Sequence, residues 1–467
     1  MMGWLLAFQL AAALSPAVNK YLRVDRAKVI LTHVEIIDGT GAPPIVDRNL
    51  VVENGKIAAI LPGRDAPAAD GTAILDLKGY SVMPGLVGMH EHLFMLAFPN
   101  LAADGSYERP ALFQQMSFSS PRLALANGVT TIRTAGSIEP ATELRLRDAI
   151  DKGLQPGPHI EVTGPYLEGA TDGGLLQMHQ LTGPEDARET VAYWASRGVT
   201  SFKAYQHITR EELRVAVDEA HKRGAKVTGH LCSISYLEAV DLGIDNLEHG
   251  FFTNTQLDPG KKPDVCSDSR GDYTLEHMTA GESQRLIALL VRHHVALTST
   301  LPSSAASLAG QTLRPAVFDA MSPALREEYL IGQNRPPSDP SRLHKEMELE
   351  RAFVAAGGLL LAGADPVGYG GLLPGFADQR ELELLVAAGF APVDAIRIAT
   401  LNGAIFLGLQ DSIGSIAVGK NADLVVVKGD PAKNISDIES VEIVFKDGNG
   451  YDVKKLLDSV KGRYGEY

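Results

Sequence analysis

Between Pro184 and Gly250 the chain alternates two periodicities, and that alternation restricts its fold more than any other feature. GPEDARETVAYWASRG reads as a helix, with Pro184 in its first turn and Gly198 as its stop. The strand-like VTSFKAY follows, then TREELRVAVDEAHKRG, where Thr209 and Glu212 are spaced as a capping box and Gly224 ends the helix. AKVTGH, a helix within SISYLEAVDLG and the strand IDNLEHG complete the run. Strand and helix alternating at this pitch imply parallel β/α units. Extended over residues 82–405, the pattern suits a (β/α)8 TIM barrel in the α/β class.

The two ends of the chain read differently. AKVILTHVEIIDG, NLVVENGKIAAIL and AILDLKG near the start, and GSIAVGKNADLVVVKG and VEIVFKDG near the finish, are strand-like and punctuated by turns such as Asn54-Gly55. A chain of 467 residues exceeds the size at which single cores stop growing, so a second unit is expected. The assignment is a composite β-sandwich from residues 21–80 and 412–467, beside a barrel over residues 81–411.

A formal charge of −14 and the lack of basic runs exclude nucleic acid and basic membrane-surface patches as partners. Stable membrane insertion is not expected, whereas a homo-oligomer is compatible with this composition. WLLAFQLAAAL, within residues 1–20, has the length of a signal-peptide core, with small residues at Ser15–Ala17, but lacks a basic leader. It reads either as an export signal, placing the protein in the periplasm or outside the cell, or as an apolar helix of a cytoplasmic protein. Cys232 and Cys266 are too few for a disulfide framework and form one bridge in an exported protein, or stay free thiols otherwise.

Chemistry collects where the barrel strands end. The apolar run PGLVGMHEH places His90 and His92 on one face of a strand. Lys203 lies in VTSFKAY, His230 ends KVTGH, His249 ends DNLEHG, and Asp365 ends GGLLLAGADP. Steps of 27 residues from Lys203 to His230, and of 19 from His230 to His249, each approach one β/α unit. Four histidines and an aspartate at one barrel mouth form a donor set that zinc accepts. Lys203 would be a costly ammonium in so apolar a strand, but as a carbamate it becomes a bidentate anion able to bridge two cations.

PGLVGMHEHLF, FKAY, TGHL, NLEHG, GADP and TLNGAIFLGLQDSIGSIAVGKNADLVVV together resemble the amidohydrolase superfamily, in its imidazolonepropionase-like and Xaa-Pro dipeptidase-like branch. The resemblance implies two Zn2+ or similar divalent ions per chain. His90, His92 and Asp365 would take the more buried ion and His230 and His249 the more exposed one, with N-carboxylated Lys203 between them. It further implies hydrolysis of a carbon–nitrogen bond by a metal-bridged hydroxide, with Asp365 as general acid and base. The bridging lysine favours a dipeptidase-like enzyme acting on a small amide, an Xaa-Pro-like dipeptide or an N-acyl amino acid. The alternatives are a deaminase or cyclic-amide hydrolase on the same scaffold, and a non-catalytic metal-binding barrel. The context SFKAYQH departs from the aliphatic surroundings usual in dipeptidases, which bears on substrate preference.

Arg133, Tyr166, His179 and Tyr205 lie near predicted strand ends and are candidates for holding a substrate carboxylate or the developing oxyanion. His221, His293 and His294 are read as structural.

Overall fold

The computed structural model describes residues 14–65, 71–170 and 177–466. The apolar segment proposed as an export signal falls largely outside these residues. Eight parallel strands occur in chain order: β1 (Leu86–Glu91), β2 (Val129–Thr134), β3 (His159–Glu161), β4 (Ser201–Ala204), β5 (Lys226–Gly229), β6 (Asn246–Glu248), β7 (Ala296–Ser299) and β8 (Leu360–Ala362). They form one sheet of order β3-β2-β1 and another of order β4-β5-β6-β7-β8. A parallel bridge between Thr163 and Ser201 joins the two sheets. On the far side, the Asp365 N–H donates to the His90 carbonyl at 3.0 Å, so hydrogen bonding returns from the end of β8 to β1.

A helix follows each strand: α1 (Ser119–Ala126), α2 (Pro140–Asp151), α3 (Pro184–Ala195), α4 (Arg210–Lys222), α5 (Tyr236–Asp241), α6 (Ala280–Arg292), α7 (Pro340–Ala355) and α8 (Phe376–Ala387). The expected capping box on α4 forms: the Thr209 side chain accepts from the Glu212 N–H, and Glu212 answers the Thr209 N–H. Gly198 and Gly224, read as stops, have φ of +92° and +71°. The strands themselves are short. VTSFKAY yields only Ser201–Ala204, because its flanking residues turn into the connections that carry functional side chains.

Strands from the two ends of the chain meet in one nine-stranded sheet. The strand Leu424–Lys428 pairs antiparallel with Tyr80–Pro84, which in turn pairs with the end of Lys28–Ile36. The expected pairing of the two ends is therefore seen as one continuous ladder. Its inward side chains, including Val29, Leu31, Val82, Leu424, Val426 and Phe445, make a single apolar cluster. The last helix, Val453–Val460, leaves this sheet: Val460 packs with Met95, Met116, Leu123 and Met321 beside the connections after β1 and β7.

His159 ties the nine-stranded sheet to β3. Its Nε2 lies 3.2 Å from Asp447 Oδ1 and its Nδ1 3.4 Å from Asp151 Oδ1, while Lys446 Nζ pairs with the other Asp447 oxygen. Burial alone would lower the imidazole pKa, but the two carboxylates outweigh it and raise it from 6.5 to about 9. The resulting stabilisation is complete below pH 6.5 and is lost as pH rises through about 9. Urea midpoints measured between about pH 6 and 10 should show His159→Gln less stable than wild type at the acid end, with the two curves converging at the alkaline end.

Candidate metal centre

Four of the six residues assigned to the metal site stand just beyond the carboxyl ends of parallel strands, and the other two, His90 and Lys203, occupy the penultimate positions of β1 and β4. His90 is on β1 and His92 just past it, while His230, His249 and Asp365 follow β5, β6 and β8. His90, His92, Lys203 and His249 are buried, whereas His230 and Asp365 are partly exposed and mark the open side. His249 and Asp365 have φ of +62° and +50°, in the left-handed region that side chains seldom adopt. Such strain persists where the surroundings fix it, and here it turns both side chains towards one point.

The imidazoles converge. Ring centroids are 5.2 Å apart for His90 and His92, 4.5 Å for His90 and His249, and 4.5 Å for His230 and His249. Asp365 Oδ1 lies 3.1 Å from His92 Nε2 and 3.6 Å from His90 Nε2, and Lys203 Nζ lies 3.2 Å from His90 Nε2. The structure therefore brings Lys203 to the histidines, as its place in the sequence pattern suggested. His90 Nδ1 donates to Glu248 Oε2 at 2.8 Å, and His249 Nδ1 lies 2.8 Å from Thr300 Oγ1. Those bonds leave the two Nε2 lone pairs facing the centre, the arrangement by which outer partners orient metal-binding histidines.

Burial sets the charge states. It lowers His90 to about 4 and His249 to about 3, assisted by Lys203 at the first and His90 at the second. It also pushes His92 and His230 down, so all four rings are neutral and available as ligands near neutral pH. For Asp365, burial would raise the carboxyl, but the facing histidines hold it well below the usual range. Burial brings Lys203 down to about 8, against the pull of Glu248 and Asp365.

Two groups of His and acidic donors have ligand atoms within 4.8 Å of one another among the described residues. One is His90, His249 and Asp365; the other is the His159, Asp423 and Asp447 seam, where Lys446 already neutralises Asp447. The first fits a divalent cation. Its donors are neutral imidazoles and an ionised carboxylate, their rings are oriented from behind, and His92 Nδ1 is buried with no partner.

Glu248 escaped the sequence reading, although it sits in the same NLEHG run as His249. It is fully buried and accepts from both His90 and Arg133, whose Nη2 is 2.8 Å from Glu248 Oε1. Arg133, taken from the sequence as a substrate contact, is only 1% exposed. It also donates to the Met89 carbonyl and to Thr228 Oγ1, so its guanidinium braces Glu248 and is buried away from the mouth's solvent. Its hydrogen-bond partners come from strands distant in the chain, which no local pattern reveals. Glu248→Gln should cost about 10–100-fold in metal affinity or activity by loosening His90, measurable by competition with a chromophoric chelator.

The remaining candidates divide. Tyr166 and Tyr205 meet edge to face at 5.0 Å, and Tyr205 lies 5.0 Å from the His230 ring. Both therefore belong to the mouth. Tyr166 packs so closely over Gly136, at φ +94°, that a Cβ there would fall 2.6 Å from its ring. His179 instead turns to Asp186 on α3, with Nε2 3.1 Å from each carboxylate oxygen, and is well exposed.

Comparison with known proteins agrees with this geometry. The family model described as "Amidohydrolase family" matches residues 81–454. An imidazolonepropionase from Deinococcus radiodurans is 24% identical over 84% of this chain and 88% of its own. A 5-methylthioadenosine/S-adenosylhomocysteine deaminase from Bacillus cereus is 23% identical over 87% of each. A solved Xaa-Pro dipeptidase with methionine bound in its active site shares the fold, with a TM-score of 0.66 at 22% identity, covering 91% of this chain and 100% of that one. With the family model spanning most of its length, this chain belongs to the amidohydrolase family and is a hydrolase acting on carbon–nitrogen bonds.

Proposed function

We propose that the chain hydrolyses an amide or peptide bond of a small substrate, a dipeptide or an N-acyl amino acid, with two zinc-like ions held by His90, His92, Lys203, His230, His249 and Asp365. In this reading the eight parallel strands close into a (β/α)8 barrel over residues 81–411, and residues 21–80 and 412–467 form the composite β-domain beside it. The observation that carries the proposal is Lys203: a 1% exposed amine whose hydrogen-bond partner is the metal-facing nitrogen of His90. An ammonium there would bury three donors against the single His90 lone pair, whereas an N-carboxylated Lys203 would place two oxygens among the histidines. Burial favours the neutral amine, which is the form that takes up CO2.

Metal ions bound here would polarise the substrate carbonyl and make water acidic enough to react near neutral pH. Asp365, held ionised at the open side of the site, accepts the proton of the attacking water and passes it to the leaving nitrogen. The amide and water thus give a carboxylate and an amine. Tyr205, beside His230, is placed to donate to the carbonyl oxygen as charge develops there, since burial keeps its phenol protonated.

The Cys232–Cys266 disulfide supports an oxidising compartment, the periplasm or the exterior. No helix among the described residues is long and apolar enough to cross a membrane. A panel of dipeptides, N-acyl amino acids and aminated heterocycles, offered to zinc-loaded protein, tests the function. Release of amino acids from the first two classes is expected; ammonia released only from the heterocycles would assign a deaminase instead.

A further inference from the structure

The connection after β6 is built to hold one cation at the mouth. Arg270 is exposed, has φ of +51°, and among the described residues its guanidinium meets a neutral amide rather than a carboxylate. Its Nη1 donates to Gln206 Oε1 at 3.4 Å, and the Gln206 amide nitrogen lies 3.2 Å from His230 Nε2. A single glutamine therefore separates this guanidinium from a metal-site histidine.

The loop is pinned from two sides. Asp258 accepts from Ser267 Oγ, from the Gly271 N–H at 2.8 Å, and from the Thr274 N–H at 3.0 Å, on either side of Arg270. The Cys232–Cys266 disulfide joins this loop to the residues directly after His230, and Lys261 Nζ reaches the Ser233 carbonyl. Left-handed backbone at a non-glycine residue is strained and persists only where the surroundings impose it. In a chain of charge −14, an exposed arginine anchored beside the reacting centre is a receptor for an anion.

We infer that Arg270 binds the carboxylate of the substrate's leaving amino acid, so that the site selects N-acyl amino acids and dipeptides with a free C-terminal carboxylate over their neutral amides. The inference rests on the amide-hydrolase reading above. Arg133, the arginine that the sequence offered for this task, is committed to Glu248. Arg270 is the specificity-determining residue, acting on KM more than on kcat.

The test compares N-acetyl-L-leucine with N-acetyl-L-leucinamide on zinc-loaded wild type, Arg270→Ala and Arg270→Lys. Wild type should favour the free acid, Arg270→Ala should reduce that preference at least tenfold through KM, and Arg270→Lys should restore part of it. Added salt should raise the wild-type KM for the acid and leave that of Arg270→Ala nearly flat, as for an exposed charge pair. An Arg270→Ala enzyme with undiminished preference, or a wild type with none, overturns the inference. A wild type that leaves every amide and dipeptide intact overturns the hydrolase reading itself.

Discussion

Lys203→Ala should lose at least about a hundredfold in activity and bind fewer than two metal ions per chain, because in the proposed two-ion site the lysine links the two halves. Lys203 lies 3.2 Å from His90 Nε2, and its ring neighbours Tyr166 and Tyr205 stand 5.5 and 5.9 Å from Nζ. Truncation therefore opens a small space walled by aromatic rings and imidazoles. Acetate or propionate should enter it and restore part of the activity, since each supplies the two oxygens that the proposed carbamate would provide. Steady-state rates with and without added carboxylate check this. A fully active Lys203→Ala enzyme would return the residue to a packing role.

Asp365→Asn should keep the fold and retain at least one metal ion while losing about 10²–10⁴-fold in kcat. The amide has the shape of the carboxylate and can still meet His92, which is 3.1 Å away, but it cannot accept a proton. The wild-type carboxyl is held far below its ordinary range, so the acid limb of the pH–rate profile should fall well below neutrality. A variant turning over as wild type does would place proton transfer on another group.

The convergence of the proposed metal-site residues was legible because strand periodicity is local. His90 and His92 share a face by alternation, and His230 and His249 each sit one residue beyond a strand whose own residues announce it. The capping box at Thr209 was legible for the same reason. What could not be read depends on residues far apart in the chain. Glu248 reaches His90 across 158 residues and Arg133 across 115, and a buried ion pair leaves no mark in either neighbourhood. Arg270 was equally silent, since its meaning comes from the disulfide and the Asp258 turn that hold it near His230. The terminal strands and their union in one unit were read from their shared strand and turn pattern, but the pairing of Leu424–Lys428 with Tyr80–Pro84 is set by the fold.

The proposed two-ion site completed by Lys203 stands or falls on the metal count. Elemental analysis of protein made in zinc-supplemented medium should give two zinc ions per wild-type chain, since six donors exceed what one tetrahedral ion uses. A reproducible count of one, unchanged in Lys203→Ala, would contradict it.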